Sequence, residues 1–245
     1  MHRNQLILRN LWRRLTNIAR GSRIPLAILL LFACGAAWGQ TSGSVSVVSN
    51  YLFRGISLSE GNPVPQVNLS YDSPAGWYAG GFASRIALAG NPGTAQLVGY
   101  AGYSRRWLNG LSWETGATAT QYLQNTAEDY MEVFAGLGSE HFSGRVYASP
   151  NYLGQNVRSL YAELNADYPF LERFHLLAHV GYLRVPPVSF ATVSTRFDSR
   201  VGISAGLRDW NFQLSWVAIE RSSATYPYYT APNPHAAVLS VSYSF

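Results

Sequence analysis

Four histidines lie beyond the N-terminal segment: His141, His175, His179 and His235. With a serine or carboxylate in hydrogen-bond reach, any of them could act as a general base in acyl transfer or hydrolysis. His235 borders a long stretch with Ser222 and Ser223 at its far end, so it is the candidate for such a site, although no nucleophile signature surrounds it. His175-Leu176-Leu177-Ala178-His179 has the spacing of a metal pair on a helix. On a strand the same spacing is about 13 Å, too far to share an ion. The surrounding alternation reads as strand, so no metal site is expected. Gly136-Leu137-Gly138 lacks the helix that a phosphate-binding loop requires. The expectation is no catalysis, no metal and no cofactor.

The segments carrying these residues alternate. At the C-terminus, Ala237, Leu239, Val241, Tyr243 and Phe245 share one face, and Ser240, Ser242 and Ser244 the other. A period of two marks a strand with one apolar and one polar side. An aromatic stands at the last position, where chains usually fray into polar residues. This pattern is that of the closing strand of a bacterial outer-membrane barrel. Leu239, Val241, Tyr243 and Phe245 then form the C-terminal insertion signal, read by barrel-assembly and periplasmic chaperone machinery. The strand is expected to pair with residues 43–53.

The other end agrees. Residues 1–23 carry six arginines and no acid, followed by ten apolar residues, Ile24 to Ala33, and then Ala37-Trp38-Gly39. Basic, apolar and small-residue regions in that order read as a secretory signal peptide over 1–39, cleaved between Gly39 and Gln40. The apolar run is too short for a membrane-spanning helix. Arg13-Arg14 lacks the preceding Ser or Thr of a twin-arginine signal. Cys34, the only cysteine, follows Leu31-Phe32-Ala33; Phe32 suits a lipoprotein processing site poorly, so Cys34 is expected to leave with the signal. Residues 40–245 then hold no thiol, which excludes disulfides, cysteine nucleophiles and cysteine-ligated zinc. They hold 12 arginines against 13 acids, so the overall net charge of +5 comes from the leader and is no argument for nucleic acid.

The remaining chain reads as one domain of strands. Twelve are expected, at 43–53, 64–72, 77–86, 94–105, 111–121, 130–139, 145–152, 158–168, 175–183, 196–206, 211–219 and 236–245, an even number as in single-chain bacterial barrels. In 158–168, Leu160, Ala162 and Leu164 oppose Tyr161, Glu163 and Asn165; in 196–206, Val201 and Ile203 oppose Arg200, Gly202 and Ser204. Apolar sets would face outer-membrane lipid and polar sets a lumen. Short turns at 72–76, 108–110, 141–144, 169–174 and 207–210 alternate with longer joins at 54–63, 87–93, 122–129, 184–195 and 220–235. That alternation is the outer-membrane pattern of short periplasmic turns and long outer loops. The short join at 153–157 breaks the phase. Tyr51, Phe53, Trp77, Tyr78, Tyr103, Trp107, Trp113, Tyr168, Tyr182, Trp210, Trp216 and Phe245 fall near strand ends, where rings prefer the headgroup level.

The first strand carries a more specific pattern. Val47-Val48-Ser49-Asn50-Tyr51-Leu52-Phe53-Arg54-Gly55-Ile56-Ser57, continued by Pro65-Gln66, Tyr71, Gly76-Trp77-Tyr78 and Gly80, resembles the opening of the TorF-type porin family of proteobacteria. Tyr130-Met131-Glu132-Val133 and Tyr161-Ala162-Glu163-Leu164 resemble its later Tyr-x-Glu strands. The resemblance implies an outer-membrane barrel that acts as a channel; it supplies no solute.

The candidate pore-lining set follows from the register: Arg145, Arg196 and Arg200 with Glu114, Glu132, Glu163, Asp167 and Asp198. Rings of charge set ion preference in pores, and this near-balanced set implies weak selectivity, with a local anion path along Arg196 and Arg200. The same ions could instead satisfy one another in a plugged interior. Arg54, Gly55, Ser57 and Glu60 are expected at the mouth, with Arg54 lining it or paired with an acid such as Glu60. The expected fold is therefore an all-β, transmembrane, antiparallel up-and-down barrel of about twelve strands. The leading expectation is a porin-like channel for small hydrophilic solutes or ions. A closed structural or adhesive barrel, acting through loops such as Tyr226-Pro227-Tyr228-Tyr229, and a lipid-modifying enzyme at His235 are the alternatives.

Overall fold

A computed structural model describes residues 39–88, 91–123, 125–186, 194–219 and 235–245. The expected signal segment to Trp38, with Cys34, lies outside the described residues, as do Ser222, Ser223 and Tyr226 to Tyr229.

The strands are β1 (Gln40–Val48), β2 (Leu52–Phe53), β3 (Ile56–Ser57), β4 (Val64–Asp72), β5 (Trp77–Leu88), β6 (Asn91–Arg106), β7 (Ser112–Tyr122), β8 (Tyr130–Gly138), β9 (Phe142–Ser149), β10 (Ser159–Leu171), β11 (Phe174–Val185), β12 (Ser194–Leu207), β13 (Trp210–Ile219) and β14 (His235–Ser244). All except β2 and β3 join a single closed barrel, each antiparallel to its neighbours. β14 closes the ring on β1 through pairs such as Val47 with Val241 and Ser46 with Ser242.

Alternation fixes the two faces. Val45, Val47, Leu69, Leu164, Val180, Val201, Leu214 and Leu239 stay exposed on the outer wall. Gln96, Ser204 and Ser215 are buried on the inner one. An apolar outer band with a polar interior is the dyad pattern of a lipid-embedded barrel. At the end holding both termini, Trp77 packs on Tyr103 at 5.1 Å, Tyr103 on Trp113 at 5.7 Å and Trp210 on Tyr243 at 5.1 Å. Those rings form an interfacial belt.

The structure corrects the expected layout in four places. The first barrel strand ends at Val48, not at residue 53; residues 52–57 form the separate β2–β3 hairpin, which bends into the barrel. Tyr51 and Phe53 therefore pack against the interior cluster and not in the belt, and Tyr78 turns inward to donate to Glu114. The join expected at 87–93 shrinks, because β5 and β6 continue to pair past an irregularity at Ile86/Ala87, through Ala87 with Pro92 and Leu88 with Asn91. The join expected to be short at 153–157 spans 150–158 and tucks Tyr152, Leu153 and Val157 into the interior.

The main core lies inside the barrel, at the end opposite the termini. Ile56 and Leu58 from the first loop meet Ile86, Tyr122, Tyr130, Tyr161, Leu183 and Val185 from the wall and Tyr152, Leu153 and Val157 from the 150–158 loop. Polar side chains line both halves of the lumen: Arg54, Gln96, Thr120 and Glu132 are buried beside this cluster, and Glu114, Arg145, Asp167 and His175 lie nearer the terminal end.

Phe245 donates to the Gly43 carbonyl at 2.9 Å and accepts from the Gly43 N–H at 3.0 Å, so it is the last rung of the closing seam. Phe245→Ser should cost about 2 kcal/mol of transfer free energy for the lost ring. It should lower the folded fraction on refolding into lipid, and truncation before Tyr243 should lower it further. Heat-modifiable gel mobility measures this; a truncated chain that folds with wild-type yield would remove the role given to the seam.

Candidate functional site

The β2–β3 hairpin is built by its turn. Leu52 pairs with Ser57 and Phe53 with Ile56, leaving Arg54 and Gly55 as a two-residue connection. Both take positive φ, 48° and 75°, the backbone of tight hairpins whose twist matches the strands. Gly55 adopts it freely, but Arg54 does so at a cost of order 1–2 kcal/mol, which other contacts must offset. Local bonds fold the loop back on itself. Leu58 donates to the Tyr51 carbonyl, the Tyr51 N–H donates to Ser59 Oγ, and Ser57 Oγ donates to Asn50 Oδ1. Two further bonds moor the loop to the wall: Ala87 donates to the Leu58 carbonyl, and the Tyr51 hydroxyl to Gln96.

The turn carries Arg54 into the barrel, where its two terminal nitrogens donate to the two Glu132 oxygens at 2.8 and 2.7 Å. Arg54 thus pairs with Glu132 and not with Glu60, which stays exposed at the rim. The side chains are 5% and 3% exposed, so water screens this pair little. Burial opposes the charge on Arg54, but Glu132, Tyr152 and Tyr130 together outweigh it and hold the guanidinium proton above its usual range. The guanidinium carbon lies 4.3 Å from the Tyr161 ring centre, 4.9 Å from Phe53, 5.1 Å from Tyr147 and 5.8 Å from Tyr152. Each distance is within cation–π range. Gly55 and Ser57 are buried with it.

Around this clamp runs the charged inner face. The cross-strand registers place Glu114, Glu132, Arg145, Glu163, Asp167, Arg196, Asp198 and Arg200 on one side of the wall, with Tyr161 and His179. Arg145 pairs with Glu114, which also accepts from the Tyr78 hydroxyl at 2.7 Å. Tyr147 reaches Glu163 at 3.4 Å. His179 bonds Asp198 at 2.8 Å and Asn165 at 2.7 Å. His175 contacts Asp167. Arg196 and Arg200 share the inward face of β12, opposite Leu183 and His179. A cavity of about 270 Å³ beside the hairpin is lined by Arg54, Glu132, Tyr147, Tyr161, Glu163 and His179 among others. Exposure rises toward the terminal end: the Arg145 side chain is 42% exposed and Asp167 60%.

The two histidines of the Leu-Leu-Ala spacing engage separate carboxylates, and no cluster able to hold a metal occurs among the described residues. His235 stacks on Trp216 with ring centres 6.0 Å apart. It shares the outer face with that residue and points away from the lumen. Of the residues that complete the clamp, Tyr147 and Tyr152 carried no sequence signal. Tyr161 did, since Tyr130-x-Glu132 and Tyr161-x-Glu163 each put a phenol and a carboxylate on the same inward face.

The profile of a family described as "Bacterial protein of unknown function (Gcw_chp)" matches residues 33–245. No curated protein matches the chain. Among solved structures, one described as "KdgM porin" is similar at a TM-score of 0.53 and 12% identity, covering 83% of this chain and 99% of that one. Another, "KdgM porin in complex with disordered oligogalacturonate", is similar at 0.50 and 11% identity, covering 84% and 99%. The likeness is one of fold.

Arg54→Ala leaves the Glu132 carboxylate buried and unpaired, which should weaken docking of the hairpin by about 3 kcal/mol. Replacing both partners together, with Arg54→Met and Glu132→Leu, should cost clearly less. Proteolysis between residues 49 and 63 reads hairpin release; equal cutting of the single and double variants would show that the pair does not hold it.

Proposed function

The chain belongs to the Gcw_chp family of bacterial proteins and is an outer-membrane β-barrel, and from that footing we propose that it is a porin-like channel passing small hydrophilic solutes or ions by diffusion, without catalysis. The observation that carries this reading is the inner face, where charged side chains of both signs rise in exposure from the clamp to the terminal end. A structural barrel needs no such water-facing charge. The resemblance of residues 47–57 to TorF-type porins supports the same reading. The hairpin stands in the lumen as its constriction, and the paired charges beneath it leave little net field, so selectivity is weak. Outer-membrane lipid surrounds the wall, and assembly factors engage Leu239, Val241, Tyr243 and Phe245.

A closed structural barrel is the second reading, favoured by the apolar cluster that fills the half of the lumen opposite the termini. Planar-bilayer recording of the refolded protein separates the two. The channel reading expects small conductance steps from the wild type and steps several-fold larger after deletion of residues 51–58. A barrel that folds but conducts in neither form is a closed one.

A further inference from the structure

The clamp around Arg54 is assembled from two sources. Glu132 comes from β8, Tyr147 from β9, Tyr161 from β10 and Tyr152 from the 150–158 loop, all parts of the barrel and the loop folded into it. Only Arg54 and Phe53 come from the hairpin. If the hairpin withdraws, the wall and the 150–158 loop retain a carboxylate and three tyrosine rings around the place the guanidinium occupied. Aromatic faces with a carboxylate form a receptor for organic cations. The two Glu132 oxygens accept from two nitrogens of one guanidinium at 2.8 and 2.7 Å, a fork that a planar guanidinium matches and an ammonium point charge does not. The adjoining cavity of about 270 Å³ gives a small solute a place next to this receptor.

We infer that Glu132, Tyr147, Tyr152 and Tyr161 form a binding site for guanidinium-bearing solutes, occupied by Arg54 as a tethered ligand while the hairpin is docked. A tethered group presents itself at an effective concentration of order millimolar. A free guanidinium compound therefore displaces Arg54 only at comparable concentrations, and its entry frees the hairpin. The ligand class rests on this geometry alone; the consequence for passage rests on the channel reading.

Calorimetric titration of refolded Arg54→Ala with methylguanidinium and with methylammonium tests the site. Saturable binding of methylguanidinium is expected, about tenfold tighter than that of methylammonium because the fork is lost with an ammonium. Binding should be far weaker to the wild type, where Arg54 competes, and should vanish when Glu132→Gln is added to Arg54→Ala. Absence of binding, equal affinity for the two cations, or binding that survives Glu132→Gln would overturn the assignment. Should Arg54→Ala fail to refold, methylguanidinium in the refolding buffer is expected to restore the yield where methylammonium does not; no rescue, or equal rescue, overturns it as well. Bilayer recording of the same proteins reports on the channel separately, so a silent barrel that still binds methylguanidinium removes the channel and leaves the site.

Discussion

Backbone pairing in a medium without water is the constraint from which the rest of this structure follows. In hydrocarbon no solvent satisfies an exposed N–H or C=O, so a sheet must have no free edge. The closure of β1 on β14 meets that requirement, and its last rung is the reciprocal pair of bonds between Gly43 and Phe245. Gly43 is needed there for a second reason. A Cβ at that position would lie 2.7 Å from the Phe245 ring and 2.8 Å from the Leu69 side chain, so the ring can cover the seam only over a bare backbone. Once the ring of strands is shut, each side chain has only two options, lipid or lumen, and the period of two sorts them.

The sorting inverts the usual arrangement of a protein. Apolar residues on the wall contact lipid, which gives no net reward for clustering them. Consolidation has to come from inside, and the first loop and the 150–158 loop provide it by folding into the barrel. Ile56 and Leu58 are 5% and 2% exposed, as deep as residues of a globular core. The Arg54–Glu132 pair sits amid this cluster. Two ions taken out of water recover little net stability from their attraction alone. What they supply is position: a hairpin displaced by one notch would leave both charges buried and unmatched.

The wall was legible in the sequence and its contents were not. Strand number, face assignment and the closing strand all follow from alternation, which is local and repeats in every strand. Tyr51-Leu52-Phe53 continues that alternation beyond Val48 and reads as more of the first strand; the chain instead bends away at Ser49-Asn50 and reverses at Arg54 and Gly55, both at positive φ. The partner of Arg54 lies 78 residues away, and no local pattern reaches that far. The 150–158 loop is expected from sequence as a join, but a shorter one, at 153–157. Tyr152 reads as the end of a strand and Leu153 and Val157 as part of that join; all three pack inward, because the lumen beside them holds apolar side chains from the hairpin. The charged inner positions were legible because each strand discloses its own face. Their pairings, such as Arg145 with Glu114 instead of with its register partner Glu163, depend on side chains from three strands.

The contacts of the hairpin define a single docked position. Its turn holds a non-glycine residue at φ 48°, a strain of the docked conformation that its contacts must offset. The bidentate geometry of Arg54 is satisfied at one depth only. The surrounding cluster is close-packed, and packed interfaces shift between discrete arrangements. The cluster also holds a defect: the Tyr130 hydroxyl, buried beside Tyr152, finds no hydrogen-bond partner among the described residues. An unsatisfied buried hydroxyl costs about 1–3 kcal/mol. Strain in the docked turn counts against docking, while the ion pair and the burial of Phe53, Ile56 and Leu58 count for it.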